Sequence, residues 1–221
     1  MSRRLEILRR ATEVFERQGV NRTSLEDIAK AVGIKREAIY YYFKGRTEIL
    51  LRIILPQSSR LVSGLQSILD SNLGSHQMLH AAVCNHIESF NPNYLEMAVA
   101  LREKPFAEED GKLDELRRVW RDYDRLWGEL VRKGQSNGAF RPDLDPKIVA
   151  YGLLGMCNWL ARWYDPAKRI TIPTIIETFF AMMSDGLCLA ARPVNPSDFS
   201  PDRLGHLSSP LNRSSENETR S

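Results

Sequence analysis

Lys35, Arg36, Glu37 and Ala38 set two cations, a carboxylate and a methyl group side by side, and Tyr40, Tyr41 and Tyr42 follow within the next turn. These side chains are equipped to read nucleic acid. Lysine or arginine donates to guanine O6 and N7, glutamate accepts from cytosine N4, and alanine meets a thymine methyl. Tyrosine hydroxyls on rigid arms suit phosphate oxygens. Lys44 and Arg46, close behind, add charge-assisted phosphate donors. A second constellation, His76, His80, Cys84 and Glu88, recurs every four residues. Adjacent pairs have metal-ligand spacing, but the whole stripe runs about 18 Å along a helix, so one ion could use only two members. A polar helix face is the plainer reading, and no metal is expected. A glycine-rich phosphate loop, a nucleophile elbow and a Ser/His/Asp cluster are all missing, so neither catalytic residues nor a cofactor are expected.

The elements that must position these residues are helices. Strand signals are nearly absent, whereas helical periodicity runs through most of the chain. The first helix covers about Arg3–Gln18, with Ile7, Leu8, Ala11, Val14 and Phe15 on one face and Gly19 as its stop. The second, about Ser24–Ala31, is capped by Thr23 or Ser24, with Glu26 and Asp27 in a first turn that favours acid. If Thr23 is the cap, Glu26 completes a capping box. A turn at Val32–Gly33 leads to a third short helix, about Lys35–Phe43. Two short helices joined by a glycine turn in a basic segment fit a helix-turn-helix.

On a wheel of 100° per residue, Ile39 and Phe43 share the inner face of the third helix and Ile34 anchors its start. Glu37 and Tyr41 lie opposite, facing DNA. Tyr40 falls at the edge of the core with its hydroxyl toward the DNA backbone, and Tyr42 on a flank. The expected DNA-binding set is Thr23, Ser24, Lys35, Arg36, Glu37, Ala38, Tyr40, Tyr41, Tyr42, Lys44 and Arg46.

The charge distribution agrees with this. The 221 residues carry a net charge of +3 and 43% hydrophobic side chains. Residues 1–50 hold eleven basic and seven acidic side chains, so the excess belongs to the N-terminal segment, as a polyanion partner requires. Cys84, Cys157 and Cys188 stand far apart in apolar stretches, which suggests reduced thiols. The charged start from Arg3 is unlike a secretory leader. The longest uncharged apolar run, Ile148 to Ala161, is too short to span a bilayer. A soluble, cytoplasmic protein is expected.

Beyond residue 46 come six longer helices: about Arg46–Leu69 with Pro56 inside, Ser75–Phe90, Asn93–Lys104, Lys112–Lys133, one opened by Asp145–Pro146, and Pro173–Ala190. The last is apolar nearly all round and must be buried on two sides. The one before it carries Gly152 and Gly155, which permit close approach. Both could be core helices of a monomer. Pairing of helices 146–164 and 173–190 with their copies, as a four-helix homodimer seam, is preferred. From Arg192 onward, prolines, serines and asparagines replace the apolar period, and 193–221 is expected to be a disordered tail.

The stretch "TSLEDIAKAVGIKREAIYYYFKGRTEIL" resembles the N-terminal signature of TetR-family transcriptional regulators. Ile28–Ala29, Ala31, Gly33–Ile34, Ile39–Tyr40, Phe43 and Arg46 through Leu50 fall on the pattern, over about residues 3–50. The resemblance implies an all-α protein of about nine helices. A helix-turn-helix domain (residues 1–46) would be joined to a ligand-binding and dimerisation domain (47–192). It implies a homodimeric repressor that binds a near-palindromic double-stranded operator and is released by a small hydrophobic effector. "LRE" and "NWLARWY" are similar to segments of regulators that sense acyl-thioester or lipid-derived effectors. The pocket would lie among helices four to eight, with Leu61, Leu65, His86, Phe90, Met97, Leu101, Trp120, Tyr123, Trp127 and Asn158 as candidate lining. This chain departs from the family at the start of the reader, where Lys35, Arg36, Glu37 and Ala38 replace the usual Ser, Lys, Gly and Thr, and at Gly45 in place of a serine cap. The operator therefore cannot be copied from a relative. A helical protein-interaction adaptor and an all-helical enzyme are the alternatives.

Overall fold

The computed structural model describes residues 2–90 and 113–185. Nine α-helices account for about three quarters of them. They are α1 (Arg3–Gln18), α2 (Leu25–Val32), α3 (Arg36–Tyr40), α4 (Arg46–Leu69), α5 (Ser75–Ile87), α6 (Asp114–Ser136), α7 (Pro146–Asn158), α8 (Leu160–Trp163) and α9 (Ile172–Asp185). A 3-10 turn, Glu88–Phe90, follows α5. No strand occurs among the described residues. The helix expected to reach Phe90 ends at Ile87 and closes with that 3-10 turn; the expected helix over 93–104, the end of the helix expected to reach 190, Cys188 and the 193–221 tail lie outside the described residues.

Local chemistry accounts for the short N-terminal helices. Ser2 caps α1, and Gly19 ends it at φ 83° with its N–H donating to the Phe15 carbonyl. At α2 the cap is Ser24, paired with Asp27. The Asp27 N–H donates to Ser24 Oγ at 3.1 Å, and the Ser24 N–H donates to the Asp27 carboxylate at 2.8 Å. That reciprocal box satisfies two orphan donors, so the alternative with Thr23 and Glu26 is not used. Gly33 then turns the chain at φ 76°, a left-handed conformation that side chains with a Cβ resist.

Two apolar cores follow. The first joins Ile7, Ala11 and Phe15 of α1, Ile28 and Ala29 of α2, Ile39 and Phe43, and Ile49, Leu50, Ile53 and Ile54 of α4. It therefore extends beyond residue 46, and it also takes in Leu116 from the start of α6. The second joins Leu61, Leu65 and Leu69 of α4 to α5, the later turns of α6, and α7, α8 and α9. Helices α4 and α6 thus run through both cores. Pro56 sits between Ile54 and Leu61, where α4 passes from one core to the other. There Trp120 Nε1 of α6 donates to Ser58 Oγ of α4 at 3.0 Å. Farther along, Asn85 Nδ2 donates to the Leu61 carbonyl, and a Cβ at Gly64 would collide with the Asn85 side chain. Lys133 Nζ closes α4 by donating to the Leu69 carbonyl at 2.8 Å, a cation where the helix dipole favours one.

Helix α7 opens as expected. Asp145 accepts from the Lys147 and Ile148 N–H groups, with Pro146 in the first turn. Helix α9 differs from the expectation of an apolar surface nearly all round. Ile172, Ile175 and Ile176 are buried, while Pro173, Thr174, Glu177, Thr178, Ala181 and Met182 face solvent.

Phe43 is 1% exposed and packs beneath the Arg4 guanidinium, 4.8 Å from the ring centroid. Phe43→Ala is expected to cost about 3–5 kcal/mol in urea denaturation, whereas Tyr41→Phe, at a position 86% exposed, should change stability by less than about 0.5 kcal/mol.

Candidate nucleic-acid interface and effector core

Helix α3 is shorter than the sequence suggests. Regular helix covers Arg36–Tyr40 alone, and Tyr41 to Phe43 complete one more turn through Tyr42 and Phe43 N–H groups that both donate to the Ile39 carbonyl at 2.9 Å. Two bonds to one carbonyl tighten the coil and end it. Ile39 and Phe43 are buried, which fixes the phase of the helix. Lys35, Arg36 and Glu37 are exposed and Ala38 is half-buried, so their side chains form one outward edge.

The tyrosines divide differently from the wheel. Tyr42, not Tyr40, is half-buried against the first core, and it meets Tyr41 edge-on at 5.1 Å between ring centroids. Tyr40 is 50% exposed, and its hydroxyl accepts from Arg36 Nη2 at 3.3 Å. The tightened last turn rotates Tyr42 inward, a shift a regular 100° wheel does not contain.

Two further residues of the expected set take interior roles. Thr23 is 1% exposed, and its hydroxyl donates to the Gly19 carbonyl at 2.8 Å. Arg46 Nη1 donates to the Asn21 and Thr23 carbonyls at 3.1 and 2.9 Å, tying α4 to the α1–α2 connection. Both pin the loop before α2. The Ser24 hydroxyl is occupied by its cap, and with the Ser24 N–H it holds the Asp27 carboxyl below its usual range. Lys44 remains exposed, while its N–H donates to Glu48 at 2.8 Å. Much of the basic charge on α1 is balanced locally, by Arg3–Glu6, Arg9–Glu13, Arg10–Glu13 and Arg4–Glu48 pairs.

Six of the candidate lining residues meet in the larger domain. Leu61, Leu65, Tyr123 and Trp127 are buried members of the second core, His86 is 2% exposed, and half-buried Asn158 joins His86 from the last turn of α7. Trp120 does not join them, because it packs on the first core and bonds Ser58. Met97, Leu101 and the Phe90 side chain lie outside the described residues. His86 Nδ1 lies 2.9 Å from the Tyr123 hydroxyl, and the two rings stack at 5.9 Å. Burial pushes the His86 imidazolium down to about 4, against a smaller opposing effect from Asn158. Burial also pushes the Tyr123 phenol well up and the Cys157 thiol up to about 12. All three groups are thus neutral near pH 7. With Nε2 protonated, His86 accepts from Tyr123 and turns its N–H toward Asn158. Trp127 Nε1 and Asn158 Oδ1 are buried without a partner at hydrogen-bonding geometry.

The His76, His80, Cys84, Glu88 stripe does not converge. His76 packs edge-on to Phe140, while His80 lies 3.3 Å from Glu177 and 3.7 Å from Cys84 Sγ. No group of three or more metal-ligating side chains forms among the described residues. None of the described helices is long and apolar enough to cross a membrane. A separate groove of about 170 Å³, which the sequence reading missed, opens between the start of α5 and the ends of α6 and α9, with Phe140, Leu144 and Leu153 in its wall. Its residues come from four separate stretches of the chain, so no local pattern announces it.

A three-helix unit that exposes a polar recognition edge, carried on a larger helical domain with a buried polar centre, defines a helix-turn-helix transcriptional regulator. The chain belongs to the TetR family. Residues 7–53 match the family model described as bacterial regulatory proteins, tetR family, and residues 73–187 match the Tetracyclin repressor-like C-terminal domain. The HTH-type transcriptional repressor KstR2 of Rhodococcus jostii is 27% identical over 186 residues, which is 84% of this chain and 91% of that protein. The crystal structure of the probable transcriptional regulatory protein RHA5900 is similar at a TM-score of 0.76 and 26% identity, over 86% of this chain and all of that one. AibR, solved with isovaleryl coenzyme A and operator DNA, shares the fold at a TM-score of 0.72 and 19% identity, over 83% and 98% of the two chains. The protein is a DNA-binding transcriptional regulator.

The His86 environment makes a pH prediction. Its folded-state pKa lies below the unfolded value, so the unfolded chain takes up the proton first as pH falls. Stability is complete above about pH 6.5 and drops by about 3 kcal/mol on approaching pH 4. Urea titrations across that range should show a steeper loss for the wild type than for His86→Gln.

Proposed function

We propose that this protein is a homodimeric repressor whose α3 edge reads a near-palindromic operator and whose second core receives a small hydrophobic effector. The observation that carries the reading is the outward edge of Lys35, Arg36, Glu37 and Ala38, held in phase by buried Ile39 and Phe43. A reader of this kind places such an edge in the major groove. Exposed Tyr41 and Lys44 flank it and supply phosphate contacts. Residues 1–46 act as the reading unit, and 47–192 as the effector and dimer unit.

Support for the dimer comes from an apolar surface on α7 and α9. Ile148 is 71% exposed, Tyr151 51% and Trp159 61%, with Gly152 and Gly155 between them open to close approach. Thr174, Thr178, Ala181 and Met182 are likewise exposed on α9 and uncharged. An isologous pairing of these faces forms a four-helix seam and fixes the spacing of two readers.

Support for the effector comes from the neutral polar centre at His86, Tyr123, Trp127 and Asn158 in an otherwise apolar core. A carbonyl on an apolar ligand, such as an acyl-thioester or a lipid-derived molecule, finds donors there. AibR, of the same fold, is seen with an acyl-thioester and operator DNA. Effector binding shifts α4 and α6, the helices that run through both cores, with Pro56 as the flexing point. A coupling of about 1–3 kcal/mol gives roughly 5–150-fold release.

Footprinting on the protein's own upstream DNA tests the reading. A protected, two-fold-related site with affinity that falls steeply with salt is expected, and salt-insensitive or absent protection refutes it. Gly155→Glu should shift sedimentation to the monomer and lower operator affinity at least tenfold. Pro56→Ala should alter release by the effector more than operator affinity, as measured by anisotropy; unchanged release sinks the flexing point.

A further inference from the structure

Arg36 leads the exposed edge of α3, and its guanidinium is tethered. Nη2 donates to the Tyr40 hydroxyl at 3.3 Å, one α-turn further on. Helical side chains lean toward the N-terminus, so the Tyr40 ring comes back over Arg36. Two carboxylates, Glu26 from α2 and the adjacent Glu37, act on the same guanidinium and favour its charge. Tyr40 is 50% exposed and belongs to neither core, so core packing does not explain where its ring sits. An arginine has several torsions to fix before its planar edge can meet guanine O6 and N7. The tether engages one Nη2 proton. The second Nη2 proton and those on Nη1 and Nε stay available.

We propose that Tyr40 is a positioning residue whose hydroxyl fixes Arg36 for one guanine, so that Tyr40 sets specificity at a single G·C pair rather than adding a sequence-blind phosphate contact. This rests on the reading of α3 as the operator-reading helix. It concerns a partner of defined chemistry, the major-groove edge of one guanine. A tyrosine that only touches phosphate weakens every operator alike. A tyrosine that holds an arginine weakens only operators carrying that arginine's base. The two roles also differ in double substitution. Once Arg36 is gone, a tether has nothing to hold, whereas a phosphate contact still contributes.

The test uses the full-length dimer and a footprinted operator fragment, with each base pair substituted in turn and affinity read by fluorescence anisotropy. The wild type is expected to reject a change at one G·C pair by about tenfold. Tyr40→Phe should keep the wild-type melting temperature and lose most of that tenfold preference while retaining its preferences elsewhere. Arg36→Gln with Tyr40→Phe should bind no more weakly than Arg36→Gln alone. Equal weakening of all operators by Tyr40→Phe, no change at all, or additive losses in the double variant would each overturn the proposal. A wild type that protects no specific site is a different result, because it removes the operator reading on which the proposal stands.

Discussion

The burial of Ile39 and Phe43, one α-turn apart beneath α1 and α2, fixes the orientation of everything in α3 that can meet DNA. A helix of five regular residues has too few internal bonds to stand alone. Its position comes from those two side chains, from Ile34 at its start, and from the left-handed turn at Gly33. With the inner face set, Lys35, Arg36 and Glu37 have only one way to point. The loop before α2 is stiffened from the same direction, since Arg46 holds two of its carbonyls and Thr23 a third. These internal bonds hold the loop before α2 against the start of α4.

The second core answers a different demand. It encloses polar groups, and burial keeps them uncharged: a histidine well below its usual pKa, a tyrosine and a cysteine well above theirs. Neutral donors and acceptors in apolar surroundings suit an apolar molecule with one polar handle better than a salt. The two cores are separate clusters of side chains, yet α4 and α6 thread both of them. Where α4 passes between clusters it carries a proline, and two residues later it takes a hydrogen bond from Trp120 on α6. The two clusters are thus joined by packed helices rather than by a flexible linker.

Membership of the TetR family and the helical architecture were legible in short-range patterns. Gly19 and Gly33 as stops, Asp145–Pro146 as a start, and the Ile28, Ala29, Ile39, Phe43 spacing all reflect local chemistry, which neighbouring residues settle among themselves. Four of the ten candidate lining residues, Leu61, Leu65, Tyr123 and Trp127, come together in the second core for a related reason, because large apolar residues at helical spacing have to be buried somewhere. Patterns of that kind do not say which of two cores receives a residue. Trp120 fits the helical period of Tyr123 and Trp127 yet packs on the first core, because α6 crosses from one cluster to the other between them.

The helices, their caps, the inner face of α3 and the polar residues opposite it could be read along the chain, since each depends on residues within about a turn of one another. Tertiary structure alone decided which of three consecutive tyrosines turns inward, since that followed from two N–H groups sharing the Ile39 carbonyl and from space beside the first core. It also decided that Arg46 and Thr23 serve the fold, since their partners, the Asn21, Thr23 and Gly19 carbonyls, lie across the α1–α2 loop. The contact of the Tyr40 hydroxyl with Arg36 is of the other kind, since the two stand one helical turn apart in the chain.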